Sequence, residues 1–146
     1  EGNTDGITYY YEHETGVNQV RLGVTAAIPA DITSGDYDIT QKVVRGAATN
    51  MADLRGDGEN IMRVSRIIPD FISQQNNVFA QLEVRDYPNN TAASSPLGPF
   101  TLTPTTTKVD TRARGRAIAL TISNTAVDTS WKLGTFRLDI QAGGRR

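Results

Sequence analysis

The sequence predicts an all-β fold, an antiparallel β-sandwich of about seven or eight short strands. Three observations point there. β-Branched residues dominate, with 18 Thr, 11 Ile and 10 Val against 3 Lys and 5 Glu. Side chains that are stiff at χ1 suit a pleated surface, and the usual helix-surface residues are scarce. Several segments alternate apolar and polar residues with period two, the mark of a strand with one buried face. Turn residues separate these segments roughly every 10–15 residues, and no helical pattern alternates with them as an α/β sheet would require. A chain of 146 residues has the length of one domain and buries roughly 68–70% of its unfolded surface. Residues 1–146 are therefore read as a single sandwich domain.

The elements follow in order. Gly6–Glu12 is rich in β formers and reads as a strand, sending Tyr9 and Tyr11 to one face and Tyr10 to the other. Tyrosines at an exposed edge mark an interface; one ring in the core with the others at its rim fits as well. From Asn18 to Ile28, Val20, Leu22, Val24 and Ala26 alternate with Arg21, Gly23, Thr25 and Ala27, which reads as one half-buried strand ended by Pro29. Within Asp31–Asn60, Tyr37–Val44 reads as a strand. Val44, Ala47, Ala48, Met51 and Leu54 also fit one helix face, but Gly46, Gly56 and Gly58 weaken a helix there. An irregular loop with one helical turn is the expectation.

Ile61–Ile68 reads as a strand that breaks at Pro69-Asp70. Asn77–Asp86 puts Val78, Ala80, Leu82 and Val84 on one face, and Tyr87–Pro96 has loop chemistry. A proline at each end makes Pro99–Pro104 at most a short edge strand. Thr105–Thr111 is extended and polar. Gly115–Asn124 and Leu133–Gln141 are the closing strands, joined by the loop Thr125–Ser130, and Gly143–Arg146 is expected to be a flexible end. The expected core is Leu82, Val84, Ile118, Leu120, Ile122, Phe136, Leu138 and Ile140. Trp131 is expected to pack with it.

The chain holds no cysteine and one histidine, His13. Disulfides, thiolate-bound metals, thiol nucleophiles and multi-histidine sites are thereby excluded. His13, between Glu12 and Glu14, reads as a solvated turn residue. Gly56-Asp57-Gly58-Glu59 with Asp53 has oxygen ligands for a hard cation, but it lacks the alternating acids and terminal bidentate Glu of a Ca²⁺ loop and reads better as a tight turn. Asp36 and Asp38 would share a face of a strand, as paired hydrolase carboxylates do, with nothing else to mark a sugar cleft. No cofactor, no metal and no enzymatic activity are expected. No run approaches the roughly 18 apolar residues of a membrane span, and no signal peptide is visible.

Charge is unevenly spread around a net of −1. Residues 1–60 hold 10 acids and 4 bases, or −6, and residues 107–146 hold 3 acids and 8 bases, or +5. Such an asymmetry can steer an acidic partner or let copies stack head to tail. The most distinctive run is Arg112-Ala113-Arg114-Gly115-Arg116, whose arginines would share one face of an extended strand. Arginine forks suit phosphates and carboxylates bidentately. No interleaved aromatic pattern suits single-stranded nucleic acid.

The run from Gly56 to Phe71 (GDGENIMRVSRIIPDF) resembles a segment in the C-terminal region of tail proteins of short-tailed bacteriophages. The runs Thr107–Arg116 (TKVDTRARGR) and Trp131–Ile140 (WKLGTFRLDI), with the ending Gly144-Arg145-Arg146, are similar to the close of the same proteins. These are known as tail nozzle, tail tubular or packaged-DNA stabilisation proteins. The resemblance covers most of residues 34–146, and Ala142-Gly143-Gly144 stands where a Pro-Asp-Gly-like turn is the family pattern. It implies a longer parent chain with this domain at its C-terminus, which agrees with the absence of an initiator Met. It also implies a homo-oligomeric ring, commonly of six copies, below portal and adaptor proteins in the virion tail, forming a channel for DNA. It carries over no catalytic residue.

The function expected is a structural component of a short phage tail, in passive contact with genomic DNA. A conduit must not grip its cargo, because each neutralised phosphate adds a counterion-release attraction. Arg112, Arg114 and Arg116 are accordingly expected to pair with carboxylates of the same or a neighbouring copy, among them Asp36, Asp38 and Asp57. The alternative is a carbohydrate- or receptor-binding β-sandwich at a tail tip, for which Tyr9, Tyr10, Tyr11 and Trp131 would have to line a groove.

Overall fold

A computed structural model of the chain describes residues 16–21, 23–39, 60–87 and 95–145. Eleven strands fall within them: β1 (Asn18–Arg21), β2 (Val24–Ala27), β3 (Ala30–Thr33), β4 (Asn60–Ile68), β5 (Phe71–Gln75), β6 (Val78–Arg85), β7 (Ser95–Leu102), β8 (Val109–Gly115), β9 (Ala117–Asn124), β10 (Ser130–Leu133) and β11 (Arg137–Arg145). All pairings are antiparallel, and among the described residues there is no helix. The all-β reading holds. The strands predicted over Gly6–Glu12 and beyond Ile39, and the helical alternative over Val44–Leu54, lie outside the described residues.

Two sheets face each other across one core. The four-stranded sheet has the order β3-β9-β6-β7 and the three-stranded sheet the order β11-β4-β8. From the first, Val78, Ala80, Leu82, Val84, Leu102, Ile118, Leu120 and Ile122 point inward; from the second, Met62, Val64, Ile67 and Ala113 meet them. The period-two pattern of β6 is realised residue by residue, with Val78, Ala80, Leu82 and Val84 buried and the residues between them half-exposed. Side chains of Leu and Ile size contribute roughly 1.5–3 kcal/mol each when fully buried, so this interface holds the two sheets together.

In β4, Met62, Val64 and Ile67 are all buried. That breaks the alternation. The register against both neighbours shifts at Ser65, a bulge that turns the next apolar residue back to the core. The chain passes from one sheet to the other at Gly115-Arg116. There a Cβ on Gly115 would run into the Val84 side chain and stand 3.0 Å from the Arg85 carbonyl oxygen. The Arg116 backbone N–H donates to that same carbonyl at 2.9 Å.

Several boundaries differ from expectation. Asn18–Ile28 is a hairpin and not one strand: Gly23, at φ +76°, turns the chain so that Arg21 pairs with Val24. This two-stranded sheet leaves Val20 and Val24 58% and 66% exposed. β4 does end at Ile68 before Pro69-Asp70, as expected, and a new strand opens at Phe71. β5 pairs with β10, and the Gly134 N–H donates to the Asp70 carbonyl at 2.8 Å, so the β4/β11 pair continues as a kinked ribbon. Around the kink Phe71 sets its ring edge-to-face on Trp131 (6.4 Å) and Phe136 (5.5 Å). Trp131 and Phe136 pack partly buried against the core, as expected.

β7 is longer than predicted. Its prolines are tolerated because it is an edge strand, and the register shift opposite Ala80 and Leu82 accommodates the cis Gly98-Pro99 bond. Gly143–Arg145 belong to β11, with Arg145 opposite Asn60. Ile140, expected in the core, is 36% exposed because β11 is the outer strand of its sheet.

Candidate functional site

The outer face of the three-stranded sheet carries four arginines. With Met62, Val64, Ile67, Ala113 and Gly115 turned inward, Arg63, Arg66, Arg112 and Arg114 point outward. The pairing register lines them up in rows across the three strands. In one row, Asp139 of β11, Arg66 of β4 and Asp110 of β8 stand opposite one another. In a neighbouring row the same strands present Gln141, Arg63 and Arg114.

The first row is complete in itself. Arg66 Nε donates to Asp110 Oδ1 at 2.9 Å, and its Nη1 lies 3.5 Å from Asp139 Oδ2. The hydrogen bond to Asp110 holds the Arg66 guanidinium above its usual range, with the Asp110 charge adding to it. The same bond, with help from the charges of Lys108 and Arg66, holds the Asp110 carboxyl below its ordinary value.

The second row has no carboxylate. Arg63 and Arg114 are exposed and directly opposite, and neither has an ion pair among the described residues. Like charges facing each other across a strand pair destabilise it. Arg112, two residues along β8, adds a third exposed guanidinium without an ion pair among the described residues. The three arginines, with Gln141 and the small Ala142 and Gly143, line a shallow depression of about 370 Å³. A second depression of about 410 Å³, on the other side of Arg114, is lined by Arg114 itself with Ile61, Asp86, Tyr87, Gly115 and Arg116.

The arginine run is divided by the end of β8. Arg112 and Arg114 share the outer face, but β8 ends at Gly115 and Arg116 sits half-buried at the crossing between sheets. Asp36 does not reach the run either. The segment after β3 follows β9, with Tyr37 bridging to Ile118, and this sets Asp36 beside the end of β6. There both its oxygens accept from Arg85 Nη1, at 2.6 and 2.8 Å. Glu83 stands 3.8 Å from the same guanidinium, and Arg85 Nε is buried without a hydrogen-bond partner. Asp38 is half-buried at the end of this segment. Asp57, with Asp53 and Glu59, lies outside the described residues, as do Tyr9, Tyr10, Tyr11 and His13.

Sequence reading missed Arg63, Arg66 and Gln141 as members of the site. Arg63 is about 50 residues from Arg114 in the chain and meets it only through strand register. Trp131, the described aromatic of the groove reading, is half-buried and donates its indole N–H to Asn124 Oδ1 at 2.8 Å. Among the described residues no three acidic or histidine side chains gather as a metal site, and no helix is long and apolar enough to cross a membrane. No family model matches the chain, and no curated protein matches it.

Proposed function

We propose that this chain is a structural module of a short-tailed phage tail, part of a nozzle or tube through which DNA is retained and then ejected. It works by assembly, as one copy of a closed ring that adjoins tail, adaptor or portal proteins in the virion. The observation that carries the reading is the Gln141–Arg63–Arg114 row, a conspicuously charged surface whose counter-charge is absent among the described residues of its own chain. A sheet presenting guanidinium forks at positions set by strand register suits a partner surface held in one orientation. The resemblance of residues 56–71, 107–116 and 131–140 to tail proteins supports the class of assembly.

Electron microscopy of the purified parent chain tests this. Closed rings with a central channel wide enough for a DNA duplex are expected. Particles that stay monomeric, or that bind host-surface glycans without forming rings, would overturn it in favour of a receptor-binding module.

A further inference from the structure

We infer that the Gln141–Arg63–Arg114 row is completed by carboxylates of a second copy of this chain, which makes the outer face of the three-stranded sheet one half of a head-to-tail interface. This deepens the reading above by assigning the surface through which copies meet.

The neighbouring row supplies the template. On the same three strands, Asp139 and Asp110 flank Arg66 and satisfy it within the chain. At Gln141 and Arg114 the flanking positions carry an amide and a second cation. The fold therefore solves the problem of one arginine with local acids and leaves the next unsolved. Arg63 and Arg114 lie about 4.5–5.5 Å apart at the backbone, and Arg112 about 7 Å further along β8. Three guanidiniums at that spacing repel one another, and an arriving carboxylate relieves the repulsion while accepting fork hydrogen bonds.

A second copy fits better than a polyanion. The chain carries −6 in residues 1–60 and +5 in residues 107–146, for a net of −1. It offers a polyanion no long-range attraction but offers a copy of itself a complementary half. Asp31, exposed on edge strand β3 and without an ion pair among the described residues, belongs to that acidic half. A patch that meets a different patch on the next copy makes a heterologous contact, the kind that closes into rings or runs on as filaments.

The test is sedimentation velocity of the 146-residue chain at low and high salt. It is run on the wild type, on an Arg63→Gln/Arg114→Gln double variant and on Gln141→Glu. Gln141→Glu places a carboxylate where Asp139 stands in the satisfied row and caps Arg63 from within. The wild type should associate at low salt and dissociate at high salt. Both variants should fold, by circular dichroism, and associate at least about tenfold more weakly, a difference of about 1.4 kcal/mol. A wild type that is monomeric at every concentration, or variants that associate as the wild type does, would overturn the inference. So would binding of a short DNA duplex that the double variant loses while its self-association stays intact. Failure of the tail reading looks different: rings absent under the microscope while this salt-sensitive association persists.

Discussion

The two outer faces of the sandwich are built to opposite ends. Outside the four-stranded sheet, Gln81, Thr101, Thr121, Ser123 and Thr33 share a mostly polar face with Phe79 and Asp31, and Thr33 and Thr121 meet there at 2.9 Å. Its one described arginine, Arg85, takes Asp36 and Glu83. Outside the three-stranded sheet, Arg63, Arg112 and Arg114 have no ion pair among the described residues. Both faces cover the same core, so burial does not explain the difference. One face meets its arginine with carboxylates of its own chain. The other keeps cations facing each other at a cost in stability, with no ion pair among the described residues to offset it.

The largest effects come from changes that remove what the faces share. Gly115→Val forces a side chain into Val84 and the Arg85 carbonyl at the crossing between sheets. It should cost about 3 kcal/mol or more, read as a collapse of the denaturant midpoint. Leu82→Ala, at a fully buried site in β6, should cost roughly 2–5 kcal/mol by the same measurement. If either variant unfolds only one sheet by hydrogen exchange, the two faces do not rest on a common core.

Asp36→Asn probes the face whose arginine meets carboxylates. It takes the charge from the partner of Arg85, whose Nε already lacks an acceptor. A loss of about 1–2 kcal/mol in urea unfolding is expected. An unchanged midpoint would mean that the ion pair holds nothing in place.

Much of this was legible in the sequence, and the boundary is physical. The alternation of Val78–Arg85 was read correctly because β6 buries one face, and burial writes period two into the residues; in Ala117–Asn124 the apolar Ile118, Leu120 and Ile122 keep that period although Ala117 and Ala119 are buried on the other side. The bulge at Ser65 was not legible, since a bulge is visible only against a partner strand. The Asn18–Ile28 hairpin was read as one strand because its apolar pattern runs through Gly23, and only the positive φ there reveals the turn. The site was half legible. Arg112 and Arg114 stood out as a run, but Arg63 and Gln141 join them by register, and Asp36 goes to Arg85 because its segment follows β9.

The smallest expected effect concerns the complete row. The Asp110 carboxyl is held below its ordinary value of 3.8 by the Arg66 hydrogen bond. A carboxyl depressed on folding stabilises the fold at pH above its unfolded value, and the contribution is lost as pH falls through the folded one. The melting temperature should therefore decline as the pH drops below about 3.8, and Asp110→Asn should flatten the part of that decline due to this residue. An identical acid profile in the variant would show that the pair is not formed in solution.

The most direct test of the contrast between a satisfied arginine and an unsatisfied one is thermal unfolding of the dilute monomer, comparing Arg66→Gln with Arg114→Gln. Arg66→Gln should lower the melting temperature, because it takes the cation from Asp139 and leaves Asp110 with Lys108 at 4.0 Å. Arg114→Gln should leave stability within about 0.5 kcal/mol of the wild type, or raise it, because it removes a repulsion. If Arg114→Gln destabilises the monomer as much as Arg66→Gln does, then Arg114 already serves its own chain, and no face of this sandwich is waiting for a partner.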